Sequence, residues 1–350
     1  MAGSARLGGA DSRRTGHGNK GRIWILAYAV GMRGPLRTTV TSDIKVGHFA
    51  VAFLDLLDQK DQMRKMTDAY VEAFQSDPGA FNPEEKNVRW NAAMERLRQT
   101  VRDSAGAVEA FVGWYDYVAT STERAREDLL RSLPGDQRSI VEAGTREKVY
   151  RFRLPDGLVL FMEIRPSPEH SPMVALLNLL STCCQLTLVQ LAEGHPFRGG
   201  IDVGIGATVR NQTGETHIYG PALVGAYELE CKTASYPRVA IGRGLVRCLD
   251  DFLQLKAEAP AVAIQRNAAK QTKDLLFTDA SGVLMLDFLG KGFRSADPER
   301  LNGEDIRKAR DFVAAEVLRW SADSSDKGRK LHGRYLELAD YFQRRMYLWT

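Results

Sequence analysis

The chain has 350 residues, 44% hydrophobic and 26% charged, which is typical of a globular protein with a sizeable core. Its net charge is only +4, whereas a protein that binds long nucleic acid usually has a concentrated basic surface, so no nucleic-acid partner is expected. None of the four cysteines has CxxC spacing, so the sequence indicates neither a zinc site nor a disulfide framework, and a reducing cytoplasm fits best.

The N-terminal part of the chain predicts no membrane anchor. Residues 1–22 are rich in Gly, Ser and Arg and predict a disordered basic tail. The apolar run from Ile23 to Met32 is too short for a bilayer, which takes about 20 residues. It also lacks a small-residue cleavage site, so no signal peptide is predicted.

The stretch from His48 to Asp61 contains the first acidic candidate, Asp55. Val, Phe and Leu dominate its first half and predict a strand that is buried on both faces. An unpaired carboxylate at the end of such a strand costs several kcal/mol, so Asp55 needs a partner. A metal ion is one partner, but for a single Asp a salt bridge or a helix N-cap is more common.

The chain after Asp61 has the apolar periodicity of helices. The pattern runs through Met63 to Phe74, Pro83 to Ala105 and Ala107 to Ser132. We therefore expect a helical insertion at about residues 62–140.

Two alternating apolar runs within Lys148 to Ile164 flank the sequence Pro155, Asp156, Gly157. This pattern predicts a β-hairpin, because Pro, Asp and Gly each favour a turn. Taken alone, Asp156 is a turn residue.

Ser171 and Pro172 predict the start of a long apolar helix that ends at Gly194. Because this helix includes several polar residues, we interpret it as a buried core helix and not as a membrane span. A strand is predicted from Phe197 to Ile205, and its glycines indicate close approach by a neighbour or a ligand. Ile218 to Pro237 predicts a turn, a helix and an exit that ends at proline.

The C-terminal part predicts a last strand from Ser281 to Leu289, followed by one or two amphipathic helices between Asn302 and Tyr347. Asp287 lies in an apolar run, as Asp55 does. We interpret Asp287 as structural.

The order of these pieces resembles the class III nucleotide cyclase catalytic domain over about residues 46–290. The pieces are FLDLL around Asp55, the hairpin with Asp156, the long helix, RGGIDVG at 198–204 and GPALVGAYELE at 220–230. AYELE followed by SYPRV at 235–239 is most similar to the pyrimidine cyclases of bacterial Pycsar anti-phage systems.

The resemblance implies that Asp55 and Asp156 hold two divalent metal ions, Mn²⁺ or Mg²⁺, with the backbone carbonyl of Leu56 as a further ligand. In the family these ions bind the triphosphate, activate the ribose 3′-hydroxyl and neutralise charge on the α-phosphate and the leaving pyrophosphate. Such ions prefer oxygen ligands and need neither His nor Cys. Phe53 projects to the same strand face as Asp55, where it either lines the substrate pocket or belongs to the core.

Several positions depart from the purine cyclase pattern. Val224 stands in place of the Asn that orients the ribose, and Glu228 in place of the Arg that stabilises the transition state. Either another cation such as Arg198 substitutes, or the enzyme works differently, or it is inactive. Phe152 lies where purine cyclases place a base-selecting Lys, and together with Tyr227 it would narrow the base pocket and favour a pyrimidine.

The resemblance implies conversion of UTP, slightly favoured over CTP, to the 3′,5′-cyclic monophosphate and pyrophosphate. The product would act on a separate cyclic-nucleotide-responsive effector. It also implies a homodimer with two shared sites, in which Tyr227 faces the acids of the partner. Two other functions stay open: a degenerate cyclase that only binds nucleotides, and a two-metal nuclease or polymerase-like enzyme, against which the modest charge argues.

The predicted fold is α/β (α+β), with a central, mainly antiparallel sheet flanked by helices and a ferredoxin-like core of the class III type. The predicted organisation is a tail at residues 1–22, a catalytic domain at 23–290 and C-terminal helices at 291–350 packed on that domain.

Overall fold

The computed structural model describes residues 44–57, 67, 71, 83–132, 134–135, 138, 142, 148–165, 171–211, 214–256, 259–296 and 303–349. The chain divides into two compact units, Met1–Thr41 and Ser42–Thr350. The first unit, with the predicted basic tail, lies outside the described residues, as does most of the helical pattern from Met63 to Phe74.

One eight-stranded sheet organises the described part of the chain. Its strands are β1 (Ile44–Leu56), β2 (Tyr150–Arg153), β3 (Gly157–Glu163), β4 (Phe197–Arg210), β5 (Thr216–Tyr219), β6 (Val239–Ile241), β7 (Leu276–Thr278) and β8 (Leu284–Leu286). They lie in the order β2-β3-β1-β4-β6-β8-β7, and β5 pairs with β4. Only β4 and β6 pair in parallel, so the prediction of a mainly antiparallel sheet is confirmed.

Helices connect the strands and cover the sheet. They are α1 (Pro83–Ser132), α2 (Pro172–Ala192), α3 (Pro221–Glu228), α4 (Arg243–Leu253), α5 (Pro260–Asp274), α6 (Lys291–Ala296), α7 (Gly303–Ser321) and α8 (Asp326–Arg345). A π-helix, Leu229–Thr233, continues α3, and a 3₁₀ turn, Met346–Leu348, continues α8. The described residues therefore form a mixed α/β protein, as predicted.

The long helix α1 differs from the sequence prediction, which had two helical segments that met at Gly106. The structure has one helix of 50 residues through this point. A single glycine inside a helix costs only about 1 kcal/mol relative to alanine, so it does not end a helix that packs elsewhere. The sequence predicted one or two amphipathic helices between Asn302 and Tyr347, and the structure has two, α7 and α8.

Strand β1 is buried on both faces, as predicted. Ala50, Ala52 and Leu54 join the large core that also includes residues of α1 and α2. Phe49 and Val51 join a smaller core against α3 on the opposite face, where Phe53 is half-buried. Because side chains alternate along a strand, Asp55 projects to the face that α3 covers.

Helix α2 lies in the larger core, as predicted when its polar residues argued against a membrane span. Within the described part of the chain it is the one helix that is long and apolar enough to cross a membrane, but 78% of its apolar window is buried inside the protein. Ser171 precedes the helix and Pro172 begins it, although the Ser171 side chain makes no capping hydrogen bond.

Candidate functional site

The fold brings the two predicted acids together. Strands β1 and β3 pair so that Asp55 lies opposite Gly157, and the backbone N–H of Leu56 donates to the carbonyl oxygen of Asp156 over 2.9 Å. A side chain at Gly157 would overlap the carbonyl of Leu54, so only glycine allows this close approach. The turn therefore holds Asp156 beside the end of β1.

Arg198 lies at the same place. It is the partner of Asp55 in the β1–β4 ladder, and its Nη2 is 3.2 Å from Asp55 Oδ2. The same nitrogen lies 2.6 Å from Glu230 Oε1. The Arg198 side chain is 15% exposed, so this guanidinium bridges two carboxylates in a largely dry environment. The cation that the sequence suggested as a substitute thus lies at the acids.

Glu230 is a residue that the sequence reasoning missed. It lies in the π-helix after α3, with its side chain only 2% exposed, and the Cys231 thiol donates to its Oε2 over 2.9 Å. A side chain at Gly200 would overlap the carbonyl of Ala226, so this glycine allows the helix to reach the sheet. The informative signals were a glutamate within an apolar run and a glycine-rich strand that permits close packing.

The site carries more negative than positive charge. The pKa of Asp55 is raised to about 7, first by burial and then by the charges of Glu230 and Asp156, while Arg198 acts in the opposite direction. Burial, and to a lesser extent Glu230, also raises the pKa of Asp156. Three carboxylates near one bound guanidinium favour the uptake of a cation.

Aromatic residues form a shelf next to the acids. Phe53 lies opposite Val159 on β3, and Val159 lies opposite Phe152 on β2, so the three share one face of the sheet. The ring of Tyr227 on α3 packs edge-on against Phe53, with ring centroids 5.3 Å apart. The Phe152 ring packs against His217 at 5.4 Å. Phe53 and Tyr227 are thus in contact, and Phe152 lies on the same face of the sheet, two strands from Phe53.

Tyr227 was expected to face the acids of a partner subunit. Within one chain its ring already packs on Phe53, two residues before Asp55. This contact places Tyr227 near the acids of its own chain.

The donor set suits a hard divalent cation. Among the described residues no group of three or more His, Cys, Asp or Glu side chains is arranged to hold a metal ion. The predicted set is smaller, with two carboxylates and the carbonyl of Leu56. Mg²⁺ is commonly bound by one or two carboxylates and keeps several waters, so this set fits it.

Asp287, which we interpreted as structural, forms an ion pair and hydrogen bonds within the fold. It is 6% exposed and accepts hydrogen bonds from Arg345 Nε at 2.9 Å and Nη2 at 2.8 Å. The hydroxyl of Tyr341 also donates to it over 2.9 Å. Its charge is therefore neutralised within the fold.

The fold and the site define a mixed α/β protein with a buried acid pair and an arginine at one end of the inner strands of a mainly antiparallel sheet. No protein-family model matches the chain, and no curated protein matches its sequence.

Proposed function

We propose that this protein is a pyrimidine nucleotide cyclase of the class III type. It converts UTP or CTP to the 3′,5′-cyclic monophosphate and pyrophosphate with two Mn²⁺ or Mg²⁺ ions held by Asp55, Asp156 and the carbonyl of Leu56. One observation carries the proposal: the Leu56 N–H to Asp156 carbonyl bond of 2.9 Å aligns two acids that are separated by 100 residues in the sequence.

The topology supports a ferredoxin-like core. The first four strands lie in the order β2-β3-β1-β4, and each neighbouring pair is antiparallel. Helix α1 lies between β1 and β2 in the chain, and α2 between β3 and β4. This is the arrangement of the split βαβ fold, which underlies the class III catalytic domain.

Each side chain has a role in the proposed reaction. When bound, the metal ions activate the ribose 3′-hydroxyl and neutralise charge on the α-phosphate and pyrophosphate. Arg198 lies beside Asp55 and supplies the cation that the purine enzymes carry at the position of Glu228. Glu228 itself is exposed and pairs with Lys232 at 2.6 Å, so it does not occupy this part of its own chain's site.

The aromatic shelf supports a preference for a pyrimidine. Phe53, Phe152 and Tyr227 are bulky and largely held by their ring contacts, and they leave less room for a base beside the acids. A six-membered pyrimidine ring needs less space than a purine.

An exposed apolar strip supports a homodimer with two sites. The strip consists of Ile44, Val46, Ile205 and Tyr219, which are 60%, 72%, 56% and 52% exposed. These residues lie on neighbouring strands β1, β4 and β5, and a contiguous exposed apolar patch is typical of a protein interface. A second copy that covers the strip is the proposed partner.

The proposed biological setting follows from the resemblance. The enzyme works in the cytoplasm, and its product acts on a separate effector that responds to cyclic nucleotides during anti-phage defence.

The test is to incubate the purified protein with Mn²⁺ and each of the four nucleoside triphosphates, and to separate the products by chromatography. Cyclic UMP or cyclic CMP is expected, with little product from ATP or GTP. Comparable turnover of all four would contradict the proposed base preference. Nucleotide binding without pyrophosphate release would favour the degenerate cyclase, and cleavage of a single-stranded oligonucleotide would favour the nuclease.

A further inference from the structure

The C-terminal helix α8 is attached to the sheet at the same end of the strands as the site. Arg345 and Tyr341 both bond to Asp287, which directly follows β8. Strand β8 is antiparallel to β6, β6 is parallel to β4, and β4 is antiparallel to β1. The end of β8, the start of β4 and the end of β1 therefore lie at the same end of the sheet, where both Asp287 and Asp55 are located.

The other half of α8 lies near the start of β4. The ring of Tyr335 packs against Phe312 of α7, with centroids 6.3 Å apart. The Phe312 ring lies 3.6 Å from the position that a side-chain carbon on Gly194 would take. Gly194 is four residues before Arg198. This chain of contacts brings the half of α8 that carries Arg334 toward the start of β4, the strand on which Arg198 lies.

The dimensions of the helix and sheet agree with this placement. Arg334 and Arg345 are 11 residues apart, which corresponds to about 16 Å of α-helix. The step from β8 through β6 to β4 covers two strand spacings, or about 10 Å. Helix α8 is therefore long enough to reach from Asp287 past β4 toward β1.

Arg334 is a cation that no described acid neutralises through a close contact. It is partly buried, and it forms no hydrogen bond or ion pair with another described residue. Burial lowers the pKa of Arg334, as does the positive charge of Arg198, while Glu337 acts in the opposite direction. Arg198, in contrast, is held by Asp55 and Glu230.

A partly buried guanidinium without a close acid, such as that of Arg334, costs free energy unless an anion binds it. Phosphate groups are the anions that arginine recognises best, because the planar guanidinium donates two parallel hydrogen bonds to them. The proposed cyclase substrate carries three phosphates, and its leaving group carries two.

We propose that Arg334 binds the polyphosphate chain of the nucleotide, next to Arg198, so that the C-terminal helix α8 is part of the nucleotide site. This inference rests on the proposed function and extends it. In this proposal, helix α8 binds phosphate in addition to packing against α7.

The test is calorimetric titration of the full-length protein with inorganic pyrophosphate in the presence of Mn²⁺. Arg334→Ala is expected to weaken binding by about tenfold or more, since a hydrogen bond to a charged group contributes that much. Arg334→Lys should recover part of the loss. The matched control is Arg344→Ala, which removes the same charge from an exposed position of α8 that is paired with Asp340 at 2.8 Å.

Two readouts separate a phosphate-binding role of Arg334 from a packing role. Thermal unfolding of Arg334→Ala should occur at no lower temperature than that of the wild type, because the variant loses an unneutralised, partly buried charge. Lower thermal stability with unchanged pyrophosphate binding would overturn the inference and assign Arg334 to packing. Absence of pyrophosphate binding by the wild type would overturn it as well.

The cyclase assay distinguishes this inference from the proposed function. Formation of a cyclic nucleotide together with pyrophosphate binding that does not depend on Arg334 would overturn the inference alone. Binding that depends on Arg334, without any cyclic product, would support the inference while contradicting the cyclase activity.

Discussion

Asp55→Asn is expected to stabilise the metal-free protein at pH 8. This substitution keeps the shape of the side chain and removes its charge. Because the pKa of Asp55 is raised to about 7 in the folded state, the folded protein holds a proton between pH 3.8 and about 7 that the unfolded protein has released, and at pH 8 the carboxyl group is mostly ionised in both states. The ionised form is therefore the costly one, and its cost grows as the pH rises from the unfolded to the folded pKa.

The magnitude follows from the shift. A rise from 3.8 to about 7 is some three pH units, and at about 1.4 kcal/mol per unit the ionised carboxylate costs roughly 4 kcal/mol. The side chain is only 20% exposed, so solvent screens this cost little. Asp55→Asn should raise the free energy of unfolding by roughly 4 kcal/mol at pH 8 and by roughly 2 kcal/mol at pH 5.

The assay is urea denaturation of both proteins at pH 5 and pH 8 in the presence of a chelator, repeated with excess Mn²⁺. The metal should stabilise the wild type at pH 8 and have little effect on Asp55→Asn, because a ligand stabilises only the state that binds it. If Asp55 instead forms a simple structural salt bridge with Arg198, the variant will be less stable at pH 8, since a buried charge has lost its partner. That result would contradict a metal-binding role of Asp55.

Three further substitutions test other parts of the structure. Glu230→Gln removes the closest acid from buried Arg198 and should lower the free energy of unfolding by about 3 kcal/mol in urea titrations; a change below about 1 kcal/mol would contradict the buried pair. Arg345→Ala leaves Asp287 buried without its cation and should cost about 3 to 5 kcal/mol by the same measurement, whereas a neutral effect would show that Asp287 is not structural. Val46→Asp places a charge in the exposed apolar strip and should convert a dimer into a monomer in sedimentation velocity experiments. The variant should also lose formation of the cyclic product. A wild-type protein that is monomeric and fully active would contradict the shared site.

The sequence predicted the elements whose signals are local. The hairpin that carries Asp156 follows from three adjacent turn residues, and β1 follows from an uninterrupted apolar run that ends in Asp55. The start of α2 at Pro172 follows from a proline that suits the first turn of a helix. These features depend on residues that are neighbours in the chain, so a single sequence is sufficient to find them.

Other features depend on distant parts of the chain, and the sequence did not reveal them. Glu230 meets Arg198 only because β4 has a particular register and a π-helix follows α3. Helix α8 reaches this end of the strands only through its packing on α7 and the bonds of Arg345 to Asp287. The strands β6 and β7 have three residues each, which is too short for a periodic pattern to appear, whereas β8 lies within the strand predicted from Ser281 to Leu289.

The continuous helix α1 shows how tertiary packing overrides a local signal. The sequence pattern predicts a break between two helical segments at Gly106, yet nothing lies within 4 Å of a side-chain carbon added there, so this glycine is not needed for close packing. Phe111 and Val108 of the same helix are buried in the larger core, and this burial outweighs the small propensity cost of the glycine.

The cyclase activity of the Asp55 and Asp156 site can be measured in a reaction with Mn²⁺ and UTP or CTP labelled at the α-phosphate. The experiment compares the wild type with Asp55→Ala, Asp156→Ala and the exposed control Asp340→Ala. Labelled cyclic UMP or cyclic CMP is expected from the wild type and the control, and from neither site variant, because both acids hold the metal ions. A labelled cyclic product that persists without either acid, or no product from any of the proteins, would contradict the proposed function.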